Sequence, residues 1–146
     1  MSQFVNVQSE REPIELRLYA DEKEKILLLF NPLKISKEEN WNPMWEEWNC
    51  YKEPLIIYLV DYNRLLKKYF DKIFPTQDAF DGTEMECFDV CFDNWIGSDD
   101  WEKILAGIEA DFGSYDGRIK EFYMNFICWI RKALECTSII VVSGNL

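Results

Sequence analysis

Four aspartates near the middle of the chain, Asp89, Asp93, Asp99 and Asp100, are the residues whose type and spacing most invite chemistry. Two carboxylates held in different environments can act as general acid and general base, and a closer group can hold a hard cation such as Mg²⁺ or Ca²⁺. The spacing favours neither. The stretch from Asp93 to Glu102 lacks the D-x-[DN]-x-[DN]-G order of a calcium loop. Acids at positions 99 and 100 are also what the first turn of a helix prefers, where negative charge offsets the exposed amide dipoles. A carboxylate-based enzyme would need a pocket holding at least one carboxyl with a raised pKa.

The rest of the chain supplies little for catalysis. Histidine is absent, which removes the usual general base near neutral pH and the commonest metal ligand. Neither a Ser-His-Asp nor a Cys-His arrangement can be built, and the six glycines form no phosphate loop or dinucleotide fingerprint. The cysteines, Cys50, Cys87, Cys91, Cys128 and Cys136, are odd in number and include no Cys-x-x-Cys pair. That argues against a disulfide framework and a zinc ribbon, so they are expected as small buried hydrophobes. The expectation is therefore a binding protein with no cofactor, no metal site and no enzymatic activity.

The elements that would position these residues follow from periodicity. Ile14, Leu16 and Leu18 alternate with polar or aromatic neighbours, the period of a half-buried strand, and Ile26 to Phe30 is an apolar run ending at Asn31-Pro32. With a charged turn from Asp21 to Lys25 between them, the two read as an antiparallel hairpin. Trp41, Trp45 and Trp48 share one face of a short helix begun at Asn42-Pro43. From Pro54 to Phe74 the apolar spacing fits a long helix stopped by Pro75; the alternative is a strand over Leu55 to Val60 leading into a helix capped by Asp61.

Glu84 to Phe92 reads as a strand with Phe88, Val90 and Phe92 on one face and Cys87, Asp89 and Cys91 on the other. On it the two thiols would stand about 13 Å apart, too far to share a metal or a disulfide. Trp95 then falls in the loop before a helix whose N-cap is Ser98 or Asp99, with Glu102 in capping-box spacing. That helix carries Trp101, Ile104, Leu105, Ile108 and Phe112 as its stripe, Gly113 at its end, and a second helix runs from about Arg118 to Cys136. Ser138 to Val142 closes the chain as a strand. The sum is a single α+β domain over residues 1–146, an antiparallel or mixed β-sheet packed against helices. Its six Trp, seven Tyr and ten Phe mean a core rich in rings.

Charge is the strongest departure from the ordinary. The formal net charge is -11, and all of it is local: twelve acids and one base, Lys103, lie between Gln77 and Asp116, while the remainder carries fifteen of each sign. So negative a chain repels phosphate backbones and anionic lipid, and direct contact with nucleic acid or membrane is not expected. No stretch approaches the ~20 apolar residues of a membrane span, and Met1 to Arg11 has neither a basic nor an apolar signal region, so the protein is expected to be cytoplasmic. The acidic segment is either a solvated face kept for solubility or an electronegative docking surface that speeds encounter with a basic partner.

Phe88-Asp-Val-Cys-Phe-Asp-Asn-Trp-Ile96, Asp99-Asp-Trp-Glu-Lys-Ile104, Phe122-Tyr-Met-Asn-Phe-Ile-Cys-Trp-Ile130 and Ser138-Ile-Ile-Val-Val-Ser-Gly-Asn-Leu146 together resemble small immunity proteins of bacterial contact-dependent growth inhibition and polymorphic toxin systems. The resemblance implies a cytosolic antidote that binds the C-terminal domain of a cognate toxin, in many such systems a nuclease, and blocks its active site or substrate path. A nuclease needs a basic groove for phosphates, which an acidic ligand can occupy. Under that reading Asp89, Asp93, Asp99, Asp100 and Glu102 meet lysine or arginine on the toxin while Trp95 anchors a desolvated pocket. An adaptor or regulator using the same acidic face on another basic protein is the alternative.

Overall fold

The computed structural model describes residues 13–33 and 53–145; the helix expected around Trp41, Trp45 and Trp48, and Cys50, lie outside them. Five strands make one mixed sheet: β1 (Ile14–Leu16), β2 (Leu27–Pro32), β3 (Leu55–Tyr58), β6 (Asp93–Gly97) and β7 (Ile139–Gly144). Their spatial order is β1-β3-β2-β7-β6, and β4 (Thr76–Gln77) and β5 (Glu84–Met85) form a separate two-stranded ribbon. Neighbours in the sheet run antiparallel except β1 and β3, which are parallel.

Three helical units cover one face. The first, α1, is composite: an α-turn Leu59–Asp61, a π-helical stretch Tyr62–Leu66, an α-turn Lys67–Phe70 and a closing 3-10 turn Asp71–Ile73. α2 spans Ser98–Ala110, and α3, Gly117–Leu134, follows a 3-10 turn at Phe112–Ser114. Inward-facing Leu28, Phe30, Leu55, Ile57, Ile96, Ile140 and Val142 supply the sheet side of the core. α2 contributes Trp101, Ile104, Leu105 and Ile108, all fully buried, at the three- and four-residue spacing that puts them on one stripe. Rings fill the middle: Phe30 meets Phe70 and Phe126 edge-on at 6.4 and 5.8 Å, and Trp101 at 6.0 Å. Trp101 also donates its indole N–H to the Ile96 carbonyl at 3.0 Å, so its one polar atom is satisfied inside the core.

The expected hairpin of β1 with β2 does not form, because β3 lies between them and pairs with both. Alternation specifies a strand and its buried face, but the partner is chosen by tertiary packing. The choice is held by Asp61. This buried carboxylate accepts the backbone N–H groups of Leu18 and Tyr19 at 3.0 and 2.7 Å, two donors just past β1. Asp61 therefore ties the chain leaving β1 to α1 and caps no helix, the role expected of it, since Tyr58 is the N-cap of α1's first turn. Of the two alternatives for Pro54 to Phe74, strand-then-helix is the one adopted.

Other expectations change in detail. The strand expected over Glu84 to Phe92 shrinks to Glu84–Met85, and pairing resumes only at Asp93. α2 begins at Ser98 with Gly97 as N-cap and no side-chain cap, so the Asp99/Glu102 capping box is absent, and α2 stops at Ala110, short of Gly113. Cys87, Cys91, Cys128 and Cys136 are exposed and not buried. Cys87 and Cys91 take the outward positions of an irregular segment, and Cys128 points away from the core on α3. No helix among the described residues is long and apolar enough to cross a membrane.

Candidate protein-docking surface

β6 is an edge strand, and unpaired strand edges invite unwanted pairing unless something covers them. Residues 76–83 do so here. The Ala79 N–H bonds the Trp95 carbonyl at 2.9 Å, and the Phe80 ring stacks on Trp95 at 4.8 Å. Trp95, Leu33 and Val141 form a second, smaller core on the sheet face away from the helices. Trp95 is thus buried, only 5% exposed, and the expectation of an exposed interface anchor in a loop is corrected. It sits within β6, two residues past the start of a strand that begins where the expected one was to end.

The acids gather around this edge. Asp93 opens β6 and is half-buried; Asp99, Asp100 and Glu102 lie just past its other end, in the first turns of α2. At ~3.3 Å per residue the strand separates Asp93 from Gly97 by about 13 Å. Asp78 and Asp81 belong to the covering segment. Asp78 has its carboxyl pushed above the ordinary value by burial and by the negative charges of Asp81 and Asp93, against the opposing hydrogen bond from the Phe80 amide. Asp81, Glu84, Glu86, Asp89, Asp99 and Glu102 are exposed, and none meets a lysine or arginine among the described residues.

Other acids of the segment are not available in the same way. Asp100 is engaged by its own chain: Thr76 Oγ1 donates to it at 2.6 Å and Lys103 approaches at 3.7 Å, leaving the side chain 12% exposed. Glu109, paired with Arg131 at 2.6 Å, and Asp111, which accepts the Tyr69 hydroxyl at 2.8 Å, lie at the far end of α2, about 18 Å from its start. The sequence-local cluster thus divides in space.

A shallow cleft of about 460 Å³ opens at the start of α2, lined by Thr76, Gln77, Ser98, Asp99, Asp100 and Lys103 among others. Asp78, the carboxyl with a raised pKa, is not part of its wall. The described residues hold no group of three or more acids or cysteines arranged to bind a metal ion.

A hydrogen-bonded turn on this surface is a feature that periodicity hides. Asp89 to Phe92 form a β-turn: the Phe92 N–H reaches the Asp89 carbonyl at 3.4 Å, and Asp89 Oδ1 accepts the Cys91 N–H at 2.8 Å, as expected for Asp at the first turn position. Buried Asn94 clamps both sides of the turn. Its Oδ1 accepts the Asp89 N–H at 2.9 Å, and its Nδ2 donates to the carbonyls of Asp89, Phe92 and Val142 at 2.7, 3.1 and 3.0 Å. The turn lies so close to β7 that a Cβ at Gly144 would stand 2.1 Å from the Val90 carbonyl oxygen, which explains glycine there.

Phe88 and Val90 do point inward, Phe88 stacking on Tyr62 at 4.9 Å. The turn breaks the alternation at its last member, and Phe92 is 68% exposed. The available signal was Asp89, a preferred first residue of a turn, in the middle of an otherwise strand-like pattern.

No protein-family model matches this chain, and no curated protein or solved structure matches it.

Proposed function

We propose that this chain is a cytoplasmic immunity protein of the contact-dependent growth inhibition or polymorphic toxin kind, neutralising a nuclease toxin domain without catalysis of its own. The supporting observation is the rim of exposed acids around β6 that finds no counter-charge among the described residues. Exposed carboxylates without a counter-charge on their own chain keep a concentrated negative field and favour a basic groove over other surfaces. Asp89, Asp99 and Glu102 serve this role best; Asp93 is half-buried and Asp100 is partly neutralised by Lys103.

The test is association with the C-terminal domain of the toxin encoded beside this gene, measured at 50 and 300 mM salt. Charge steering predicts tight binding whose on-rate falls with salt, since screening shortens to roughly 10 Å or less above 0.1 M. Asp99→Asn with Glu102→Gln slows association several-fold with little change in dissociation. No association at low salt removes the reading, and selective binding of a different basic protein converts it to that of an acidic adaptor.

A further inference from the structure

A large apolar side chain can stand two-thirds exposed at the end of a turn that side-chain hydrogen bonds hold in one shape. Phe92 does so, with its ring at the last position of the Asp89–Phe92 turn and Asp89 at the first. Rigidity matters for recognition, because a group held in its bound geometry loses little conformational freedom on docking. An aromatic ring adds large contact area with only two side-chain torsions to freeze. An exposed Met124 at 54% on α3 lacks any such clamp and lines a shallow groove with Glu109, Phe112, Ile127 and Cys128.

We infer that Phe92 is the apolar anchor of the docking surface, entering a pocket of the partner bordered by arginine. This rests on the docking reading above and names the partner's chemistry. Asp89 Oδ1 accepts the Cys91 amide, and Asp89 itself is exposed at the first position of the turn that Phe92 ends. A guanidinium fits both groups at once: its plane stacks on an aromatic face while its N–H groups bond a carboxylate, which a lysine ammonium does less well. Glu86, exposed on the same irregular segment, extends the negative rim. Trp95 plays no part in the contact, since it is covered by Phe80. Asn94 acts as a positioning residue for the anchor.

The experiment places the photoreactive analogue p-benzoylphenylalanine at position 92, or at position 124 as a control, in the full chain within its native cells. The crosslinked polypeptide is identified, purified, and titrated with the wild-type chain and with Phe92→Ala. The inference expects crosslinking from position 92 and not from 124. It also expects a roughly 10- to 100-fold affinity loss in Phe92→Ala, carried by faster dissociation and persisting in high salt. Asp89→Asn, which keeps the acceptor for Cys91, loses affinity at low salt only. Because Phe92 is exposed, the alanine variant keeps its melting temperature, so a loss of binding is not a loss of fold.

No crosslink from position 92, or a crosslinked polypeptide that binds Phe92→Ala as well as wild type, overturns the inference. The two proposals fail separately. A partner that needs Phe92 but is not a toxin domain leaves the anchor and removes the immunity reading; a toxin domain indifferent to Phe92 does the reverse.

Discussion

Replacing Asn94 with alanine removes one buried side chain and four hydrogen bonds, three to the Asp89–Phe92 turn and one to Val142 on β7. The Asp89 N–H loses its acceptor, and the carbonyls of Asp89, Phe92 and Val142 lose a donor. A net hydrogen bond contributes about 1 kcal/mol, and a buried group left unsatisfied costs about 1–3 kcal/mol. Water can reach part of this turn, since its neighbours Asp89, Cys91 and Phe92 are exposed, so some of the loss is recovered. The expected cost is about 2–4 kcal/mol, or about 6–14 °C in melting temperature for a chain of this size.

Asn94→Asp sharpens the test. It retains an acceptor for Asp89 but turns a second oxygen toward three carbonyls, so at pH 7 it is at least as damaging as alanine. Burial among the carbonyls raises the folded-state pKa of the new acid, so as pH falls from 7 through that raised value to the ordinary carboxylate range it protonates, donates again, and regains part of the stability. Urea denaturation followed by far-UV circular dichroism gives the free energies, and hydrogen exchange at the Asp89 and Cys91 amides locates the change. A loss below ~0.5 kcal/mol in Asn94→Ala, within the scatter of surface substitutions, would falsify the clamp.

Two further outcomes follow from the fold. Asp61→Ala leaves the Leu18 and Tyr19 amides without their buried acceptor and lowers unfolding free energy by about 3 kcal/mol, with Asp61→Asn keeping about half of the interaction; equal stability of all three chains in urea contradicts the tether. Asp78 binds its proton at higher pH when folded than when unfolded, so its contribution is favourable at low pH and is lost as pH rises from the ordinary carboxylate range through the raised value. Asp78→Asn preserves the acceptor for the Phe80 amide and removes the charge, so the variant equals wild type at pH 3 and exceeds it at pH 7, a difference that paired urea titrations across pH resolve.

Local pattern decided much on its own. The α2 and α3 stripes, the strand-like character of Ile139 to Val142, and the burial of Trp101 follow from spacing, because one apolar face at helical or strand period has a single sensible orientation toward a core. The concentration of acids between Asp78 and Asp116 is likewise a property of composition.

What only the tertiary structure decided depends on contacts distant in sequence. β1 pairs with β3, some 40 positions away, and Asp61 holds the chain just past β1 through the Leu18 and Tyr19 amides. Trp95 exchanged places with Phe92 as the exposed ring: Phe80 and Val141 bury the first, while Asn94 turns the chain and leaves the second in solvent. Period-two alternation assumes an unbroken strand, and one buried amide gripping a turn is enough to reverse the face on which the last residue stands.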